Sequence, residues 1–180
     1  MYTYIALLKG INVGGHKKVP MAELRELLTN SSLEKVQTYI QSGNVVFQTS
    51  KNNVFEIEKN IQKSILDKFG FEVSVLVRTK ADLKHIFDTC PFSEDKKKTS
   101  YFVMLHDTPN EDLVKITSDK VYDGEEYKII NDCIYFYCKK GYGRAKFNLN
   151  FFERKLKTFA TARNYNTMVK LLSLSAESNS

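Results

Sequence analysis

The stretch Val36-Gln-Thr-Tyr-Ile-Gln-Ser-Gly-Asn-Val-Val-Phe-Gln48 decides the fold, because it predicts a β-hairpin. β-Branched and aromatic residues are frequent on both sides of Ser42-Gly43, and glycine supplies the backbone conformation that a tight turn needs. A short apolar run at residues 2–8 predicts a buried strand, and the leucines after Pro20 share one helical face. The chain therefore begins strand, helix, strand, strand.

The following segments complete this order and then repeat it. Apolar residues recur at helical spacing over 53–69 and stop at Gly70, and 72–78 predicts a strand, which gives the ferredoxin-like order β-α-β-β-α-β. After a short helix near 80–88, the predicted elements are a strand at 100–106, a helix at 110–118, a hairpin around Asn131-Asp132, a helix from 150 to about 157 and an amphipathic helix at 164–174.

The predicted fold class is therefore α+β, with two ferredoxin-like halves whose sheets we expect to be mixed. The predicted domains are a first half at 1–79, a connector at 80–99, a second half at 100–172 that includes an extra C-terminal helix, and a disordered polar tail at 173–180. The duplication is inferred from the order of the elements alone.

Composition indicates an ordinary globular protein. Of the 180 residues, 42% are hydrophobic and 27% are charged, far from the composition of a disordered chain. The three cysteines lack C-x-x-C spacing, so we expect no disulfide framework, no metal site and no cofactor. The short apolar N-terminus predicts neither a signal peptide nor a membrane span, which favours a cytoplasmic protein without a membrane partner.

Positive charge is concentrated near the C-terminus. Residues 139–170 contain nine Lys or Arg and only one acid, Glu153, so this basic segment carries +8 while the rest of the chain sums to −2. The asymmetry favours an anionic partner or nucleic acid, although a solvated charged face is the commoner meaning of such a cluster.

A glycine-rich loop, Gly10-Ile-Asn-Val-Gly-Gly-His-Lys-Lys18, joins the first strand to the first helix. Its backbone N–H groups could approach an oxyanion near a helix start, but His16 and Lys17 stand where a phosphate-binding loop needs lysine and a hydroxyl, which excludes a nucleoside triphosphatase. A simple turn is an equally good interpretation of the glycines. The candidate ligand-binding residues here are Lys9, Asn12, Gly14, Gly15, His16 and Lys17.

The second half contributes four more candidates: Arg144, Lys146, Arg163 and Asn164. The first two lie in Lys140-Gly-Tyr-Gly-Arg-Ala-Lys-Phe147, which imitates an RNA-recognition signature but has Arg144 in place of a stacking aromatic residue, so that a basic turn is favoured. Arg163 could bind a carboxylate or a phosphate, and Asn164 or Thr161 could cap a helix.

Tyr135 and Tyr137 share one strand face and could form an aromatic platform for bases, although packing in the protein interior is the stronger interpretation. The histidines have no metal-binding or nucleophile-activating context, and only His16 is a candidate acid or base. No catalytic residue is therefore predicted.

Several motifs together resemble the bacterial domain-of-unknown-function family 1697. They are Leu7-Leu-Lys-Gly-Ile-Asn-Val-Gly-Gly15, Val19-Pro-Met-Ala-Glu-Leu24, Thr38-Tyr-Ile-Gln-Ser-Gly-Asn-Val-Val-Phe47, Cys90-Pro-Phe92, Glu153-Arg-Lys155 and Ala160-Thr-Ala-Arg-Asn-Tyr-Asn-Thr167. The resemblance implies a compact protein of two ferredoxin-like halves and brings no activity, cofactor or catalytic residue.

The leading functional hypothesis is a noncatalytic binding protein for an anionic ligand, either nucleic acid or a phosphorylated small molecule. The basic segment at 139–170 is the expected binding surface, and the Gly10–Lys18 loop is a second candidate. The alternatives are a small-molecule enzyme with a pocket between the two halves and a structural or protein-interaction role. We further expect Asn12, His16, Arg144, Arg163 and Asn164 to line one groove.

Overall fold

The computed structural model describes residues 1–177. The chain forms two compact units. The first unit consists of Met1–Lys84 together with the C-terminal segment from Val169, and the second unit consists of His85–Met168. The sequence-based division at residues 79 and 100 stays a prediction.

The first unit has the predicted β-α-β-β-α-β order. Its elements are β1 (Tyr2–Leu8), α1 (Met21–Asn30), β2 (Glu34–Tyr39), β3 (Asn44–Thr49), α2 (Val54–Phe69) and β4 (Val75–Thr79). The sheet order is β2-β3-β1-β4, with every neighbouring pair antiparallel. This is the ferredoxin-like arrangement that the sequence predicts.

The second unit repeats the same arrangement after two connecting helices, α3 (Lys80–Asp88) and α4 (Glu94–Lys97). Its sheet has the order β6-β7-β5-β8 and is also fully antiparallel. The remaining elements are β5 (Tyr101–Leu105), α5 (Glu111–Ser118), β6 (Glu125–Ile130), β7 (Cys133–Cys138), a 3-10 turn (Tyr142–Arg144), α6 (Leu149–Leu156), β8 (Ala160–Asn164) and α7 (Tyr165–Glu177).

Local signals explain where the longest helix of the first unit begins and ends. The side chain of Asn53 accepts a hydrogen bond from the Glu56 N–H at 3.3 Å, which caps the start of α2. Gly70 ends the helix in a left-handed conformation with φ of 78°. Between them, Ile57, Ile61 and Ile65 recur at helical spacing and pack into the core of the first unit.

The central strands of each sheet are buried on both faces. In β1, Tyr4, Ala6 and Leu8 pack in the same core cluster as residues of α1 and α2, and Ile5 and Leu7, which point to the opposite face, are also fully buried. In β5, the corresponding residues of the opposite face, Phe102 and Met104, are likewise buried. The face that many ferredoxin-like proteins leave open for ligands is therefore closed in both sheets.

The structure corrects four details of the sequence-based prediction. The sheets are antiparallel rather than mixed, because each strand pair that a helix connects has another strand inserted between its members. The first hairpin turns through residues 40–43, with Tyr39 opposite Asn44, rather than through Ser42-Gly43 alone. The strand β8 was not predicted, and its residue Thr161 is therefore not a helix cap.

The fourth correction concerns the C-terminus, where α7 continues to Glu177 and part of the predicted disordered tail is helical. Leu174 and Ser175 are buried, which explains why the polar appearance of this segment is misleading. Residues 178–180 of the predicted tail lie outside the described residues. The second hairpin, with Asn131-Asp132 between paired Ile130 and Cys133, is confirmed.

Among residues 1–177, no helix is both long enough and apolar enough to cross a bilayer.

Candidate functional site

Asn12 fixes the loop between β1 and α1. Its side-chain amide donates to the carbonyl oxygens of Val19 at 2.9 Å and Gln41 at 2.8 Å, and its Oδ1 accepts from the Val19 N–H at 2.8 Å. One side chain thus closes the loop and ties it to the turn of the first hairpin. The contacts of Asn12 are structural, and its predicted role as a ligand-binding residue stays a prediction.

The two adjacent glycines form the tip of this loop. Gly14 and Gly15 have φ values of 59° and 78°, and they lie between Val13 and His16, whose backbones form an isolated antiparallel bridge. The His16 N–H donates to the Val13 carbonyl at 3.1 Å, and the His16 side chain is exposed. This geometry matches the turn interpretation of the glycines.

A groove with a cavity volume of about 810 Å³ lies beside this loop in the first unit. Four lysines contribute to its wall. Lys9 and Lys17 come from the loop, and Lys59 and Lys63 lie one helical turn apart on α2. The other lining residues are Gly10, Asn60, Gln62, Leu66, Glu72, Val73 and Ser74. We call this feature the lysine groove.

Specific contacts position the side chains of two of these lysines. The Lys17 ammonium donates to the Glu72 carbonyl at 2.7 Å, and the Lys59 ammonium lies over the Phe55 ring at 4.6 Å from its centroid. The backbone N–H of Lys9 donates to the carbonyl of Ser74, another lining residue, at 2.9 Å. Glu72 is the only acidic residue in the lining, so the groove carries an excess of positive charge.

The structure brings together two of the predicted residues, Lys9 and Lys17, with two that sequence reasoning missed, Lys59 and Lys63. The spacing of Lys59 and Lys63 on the polar side of a predicted amphipathic helix was the only signal available for them. Asn12, Gly14, Gly15 and His16 do not line the lysine groove.

Two of the candidates in the second unit lie in a basic turn. Arg144 is exposed within the 3-10 turn after β7. Lys146 is also exposed, and the Glu125 carboxylate accepts hydrogen bonds from the backbone N–H groups of Lys146 and Phe147. An acidic side chain of the edge strand β6 therefore anchors the end of this turn.

Arg163 lies inside β8, where it is only 7% exposed. Its guanidinium donates to the Thr161 hydroxyl at 2.7 Å and to the Ala162 carbonyl at 2.8 Å. Burial lowers the pKa of Arg163 to about 10, because desolvation disfavours its charged form. These contacts are structural, and ligand binding by Arg163 stays a prediction.

Asn164 caps the start of α7, as predicted, because its Oδ1 accepts from the Thr167 N–H at 2.9 Å. It also lines a smaller cavity within the second unit, whose lining includes neither Arg144 nor Arg163. The single groove expected for Asn12, His16, Arg144, Arg163 and Asn164 combines residues of both units and stays a prediction.

The aromatic platform considered for Tyr135 and Tyr137 is not open at Tyr135. That residue is 1% exposed, and its hydroxyl donates to the Ile86 carbonyl at 2.7 Å. Burial raises the pKa of Tyr135 well above that of an ordinary tyrosine. Packing is therefore the role that the structure shows for this ring.

Among residues 1–177, no group of three or more His, Cys, Asp or Glu side chains is placed to hold a metal ion.

The thiol of Cys133 is fully buried, which raises its pKa well above the usual value for cysteine. The enzyme alternative stays a hypothesis.

These features define a class of protein: an α+β chain of two ferredoxin-like units, one of which carries a lysine groove. The chain belongs to the family described as "Protein of unknown function (DUF1697)", whose sequence profile matches residues 1–135. The resemblance found in the sequence motifs is thereby confirmed.

A solved structure described as "The structure of conserved bacterial protein SP0830 from Streptococcus pneumoniae" is similar to this chain. The two share 26% sequence identity with a TM-score of 0.77, over 97% of this chain and 98% of the other. No curated protein matches the sequence. The comparisons establish the family and the fold, and they name no specific function.

Proposed function

We propose that this protein is a noncatalytic binding protein whose lysine groove holds a phosphate-bearing anionic ligand. The observation that carries the proposal is the meeting of four lysines from two separate segments around one concave surface with a single acid. Opposite charges attract strongly at short range, and several ammonium groups around one cavity add their fields.

The dimensions and chemistry of the groove support a ligand larger than a single ion. Its volume of about 810 Å³ lies within the range of small-molecule sites. Lysine contributes a compact charge with three donors and is a common phosphate ligand. Lys17, Lys59 and Lys63 are exposed, so binding an anion does not require burying their charges first.

Two ligand classes fit this proposal, a phosphorylated small molecule and the backbone of a nucleic acid. The closed sheet faces disfavour base stacking in the manner of an RNA-recognition domain, which uses the open face of a similar sheet. The remaining nucleic-acid mode is contact with phosphates alone, and such binding weakens steeply as salt concentration rises.

Isothermal titration calorimetry with inorganic tripolyphosphate and with a single-stranded DNA oligonucleotide tests the proposal at low and at high salt. The decisive variant is the double substitution Lys59→Gln with Lys63→Gln, and the charge-matched control is Lys51→Gln with Lys68→Gln, two exposed lysines of the same unit outside the groove. We expect the groove variant to lose about tenfold or more in affinity, because two charge-assisted contacts disappear.

The control variant should stay within about twofold of the wild-type affinity, since Lys51 and Lys68 are exposed lysines that do not line the groove and make no direct contact with a ligand there. Equal losses in the two variants would show that net charge alone attracts the anion. Undetectable binding of both probes at low salt would refute the proposal. Tighter binding of tripolyphosphate would favour a phosphorylated small molecule as the ligand, and tighter binding of the oligonucleotide would favour a nucleic acid.

A further inference from the structure

The second unit contains a cavity of about 370 Å³ at one end of its sheet. This is the end where β5 begins, where β7 ends and where β8 passes into α7. Three tyrosines, two lysines and two asparagines contribute to its lining: Tyr101, Tyr137, Tyr165, Lys98, Lys139, Asn164 and Asn166. We call it the tyrosine cavity.

Another aromatic ring supports each tyrosine of the cavity. Tyr101 packs against Tyr142 with 4.5 Å between ring centroids, and Tyr165 packs against Phe87 at 5.3 Å. Tyr137 lies 6.3 Å from Phe92 and also receives the Lys96 ammonium at 5.2 Å from its centroid. The rings are therefore held in position before any ligand arrives, which lowers the entropic cost of binding.

The same three rings remain partly accessible. Tyr101, Tyr137 and Tyr165 are each of intermediate exposure, in contrast to Tyr135, which is completely enclosed. Supported but accessible aromatic rings are the surfaces on which proteins stack planar heterocycles. The tyrosine cavity therefore offers apolar ring surface that the interior of the second unit does not use.

The polar residues at the rim add positive charge and hydrogen-bonding groups. Lys98 and Lys139 are exposed on different segments, one before β5 and one after β7, and no acidic residue belongs to the lining. Asn166 is exposed at the beginning of α7 and provides amide donor and acceptor groups. A ligand here meets ring surface, amide groups and cations together.

We propose that the tyrosine cavity is a second binding site and that its ligand is a mononucleotide-sized molecule, in which a planar heterocycle is joined to an anionic phosphate. The volume of about 370 Å³ lies at the small end of ligand sites and suits a single nucleotide. The heterocycle stacks on tyrosine, and Lys98 and Lys139 neutralise the phosphate. The site is independent of the lysine groove, because all its lining residues belong to the second unit.

Titration of the full chain with adenosine 5′-monophosphate, ribose 5-phosphate and adenosine tests the proposal. Isothermal titration calorimetry measures the affinities, because adenine absorbs light at the wavelengths that excite tyrosine. The titrations use the Lys59→Gln, Lys63→Gln background, which removes the lysine groove as a competing site. We expect the nucleotide to bind at least about fivefold more tightly than either fragment, because only the nucleotide uses both rings and cations.

Paired substitutions then locate the binding. Lys139→Gln should weaken nucleotide binding about fivefold, whereas Lys140→Gln, a neighbouring exposed lysine outside the lining, should change it less than twofold. Tyr165→Phe keeps the ring and should keep the affinity, and Tyr165→Leu should lose at least about fivefold. Circular dichroism of both Tyr165 variants shows whether the fold is retained.

Three results would overturn the proposal: ribose 5-phosphate binding as tightly as the nucleotide, equal effects of Lys139→Gln and Lys140→Gln, or no nucleotide binding up to about 10 mM. If Tyr165→Leu fails to fold, the lysine pair still decides. Failure of tripolyphosphate to bind the lysine groove leaves these expectations unchanged, so the two proposals can fail separately.

Discussion

The two units have the same backbone hydrogen bonds at one end of their sheets but very different side chains there. After β1, the Lys9 N–H donates to the Ser74 carbonyl, and after β5 the His106 N–H donates to the Phe159 carbonyl, each at 2.9 Å. In the first unit, Lys9 and Ser74 line an open groove. In the second unit, the His106 ring stacks on Phe159 with 4.6 Å between centroids and its Nδ1 lies 2.9 Å from the Asp107 carboxylate.

The difference teaches that the lysine groove is not a consequence of the fold. The same backbone position carries an ammonium group beside a cavity in one unit and a packed aromatic pair beside a carboxylate in the other. The loop after β1 is also long in the first unit, whereas the long connection of the second unit, residues 139–148, follows β7. The proposed binding groups of the two units therefore lie beside different connections of the shared fold.

The largest expected loss of stability comes from substituting a glycine of the first unit, and a glycine of the second unit serves for comparison. Gly43 has φ of 77°, and a Cβ placed on it would lie 2.6 Å from the Leu8 Cβ and 3.0 Å from the Ile11 Cδ1. Gly43→Ala forces alanine into a left-handed backbone conformation and brings its methyl group into steric conflict with the core. We therefore expect a loss of about 3 kcal/mol in the free energy of unfolding, measured by urea denaturation.

Gly124→Ala in the second unit is the matched control. Gly124 has a similar φ of 75°, but a Cβ there would meet nothing within 4 Å. The control should cost only about 1 kcal/mol, which is the backbone strain alone. Equal losses in the two variants would show that the close approach at Gly43 relaxes freely.

A second comparison concerns a glutamate on the second helix of each unit. Glu58 on α2 accepts the Val77 N–H of the edge strand β4 at 2.8 Å, and Glu153 on α6 accepts the Ala160 N–H of the edge strand β8 at 2.7 Å. Glu58 is only 4% exposed, whereas Glu153 is half-buried.

Glu58→Ala leaves a buried N–H without its carboxylate, so we expect a loss of about 2 kcal/mol. For Glu153→Ala we expect a loss of about 1 kcal/mol, because the Glu153 side chain is half-buried and is partly solvated in the folded protein. Glu58→Gln retains an acceptor and should recover about half of the loss. Chemical denaturation measures all three variants. A Glu58→Ala variant as stable as the wild type would show that this contact does not hold the edge strand.

The smallest expected change in the free energy of unfolding is that of Tyr135→Phe, and it should depend on pH. In the second unit, Tyr135 pairs with Phe102 of the central strand. At the equivalent position of the first unit, Val46 pairs with Ile5. Tyr135→Phe loses the hydrogen bond to Ile86, so at pH 8 we expect the variant to be about 1 kcal/mol less stable.

This deficit should shrink as pH rises. Burial raises the pKa of Tyr135 in the folded state, so the unfolded chain releases this proton first and wild-type stability falls above about pH 10. Near pH 11 the unfolded wild type gains about 1.4 kcal/mol from ionising Tyr135, and the two proteins should be about equally stable. A deficit that stays constant from pH 8 to pH 11 would contradict burial of this hydroxyl.

Sequence patterns predicted most of the fold because the decisive elements have strong local signals. The glycine stop at Gly70 and the Asn131-Asp132 turn are examples, and both lie where they were expected. The strand β8 was missed because Ala160–Asn164 has small and polar residues rather than an apolar run. Its strand conformation depends on antiparallel pairing with β5, which is a tertiary interaction.

The candidate site was predicted only in part. The loop that contains Lys9 and Lys17 was found from its glycines and cations. Lys59 and Lys63 were missed because exposed lysines on an amphipathic helix ordinarily face solvent, and only the packing of α2 beside the loop places them in a shared groove. Arg163 was named as a candidate ligand-binding cation, and its burial in β8 was not foreseen because that strand was missed.

The most direct test of the central claim is a two-dimensional nuclear magnetic resonance titration of the ¹⁵N-labelled chain with inorganic tripolyphosphate. The claim is that tripolyphosphate binds the lysine groove of the first unit in preference to the basic segment of the second. We predict that the largest shifts in amide resonance occur at Lys9, Lys17, Lys59 and Lys63. Shifts concentrated at residues 139–146 and 154–157, with the groove unaffected, would contradict the account.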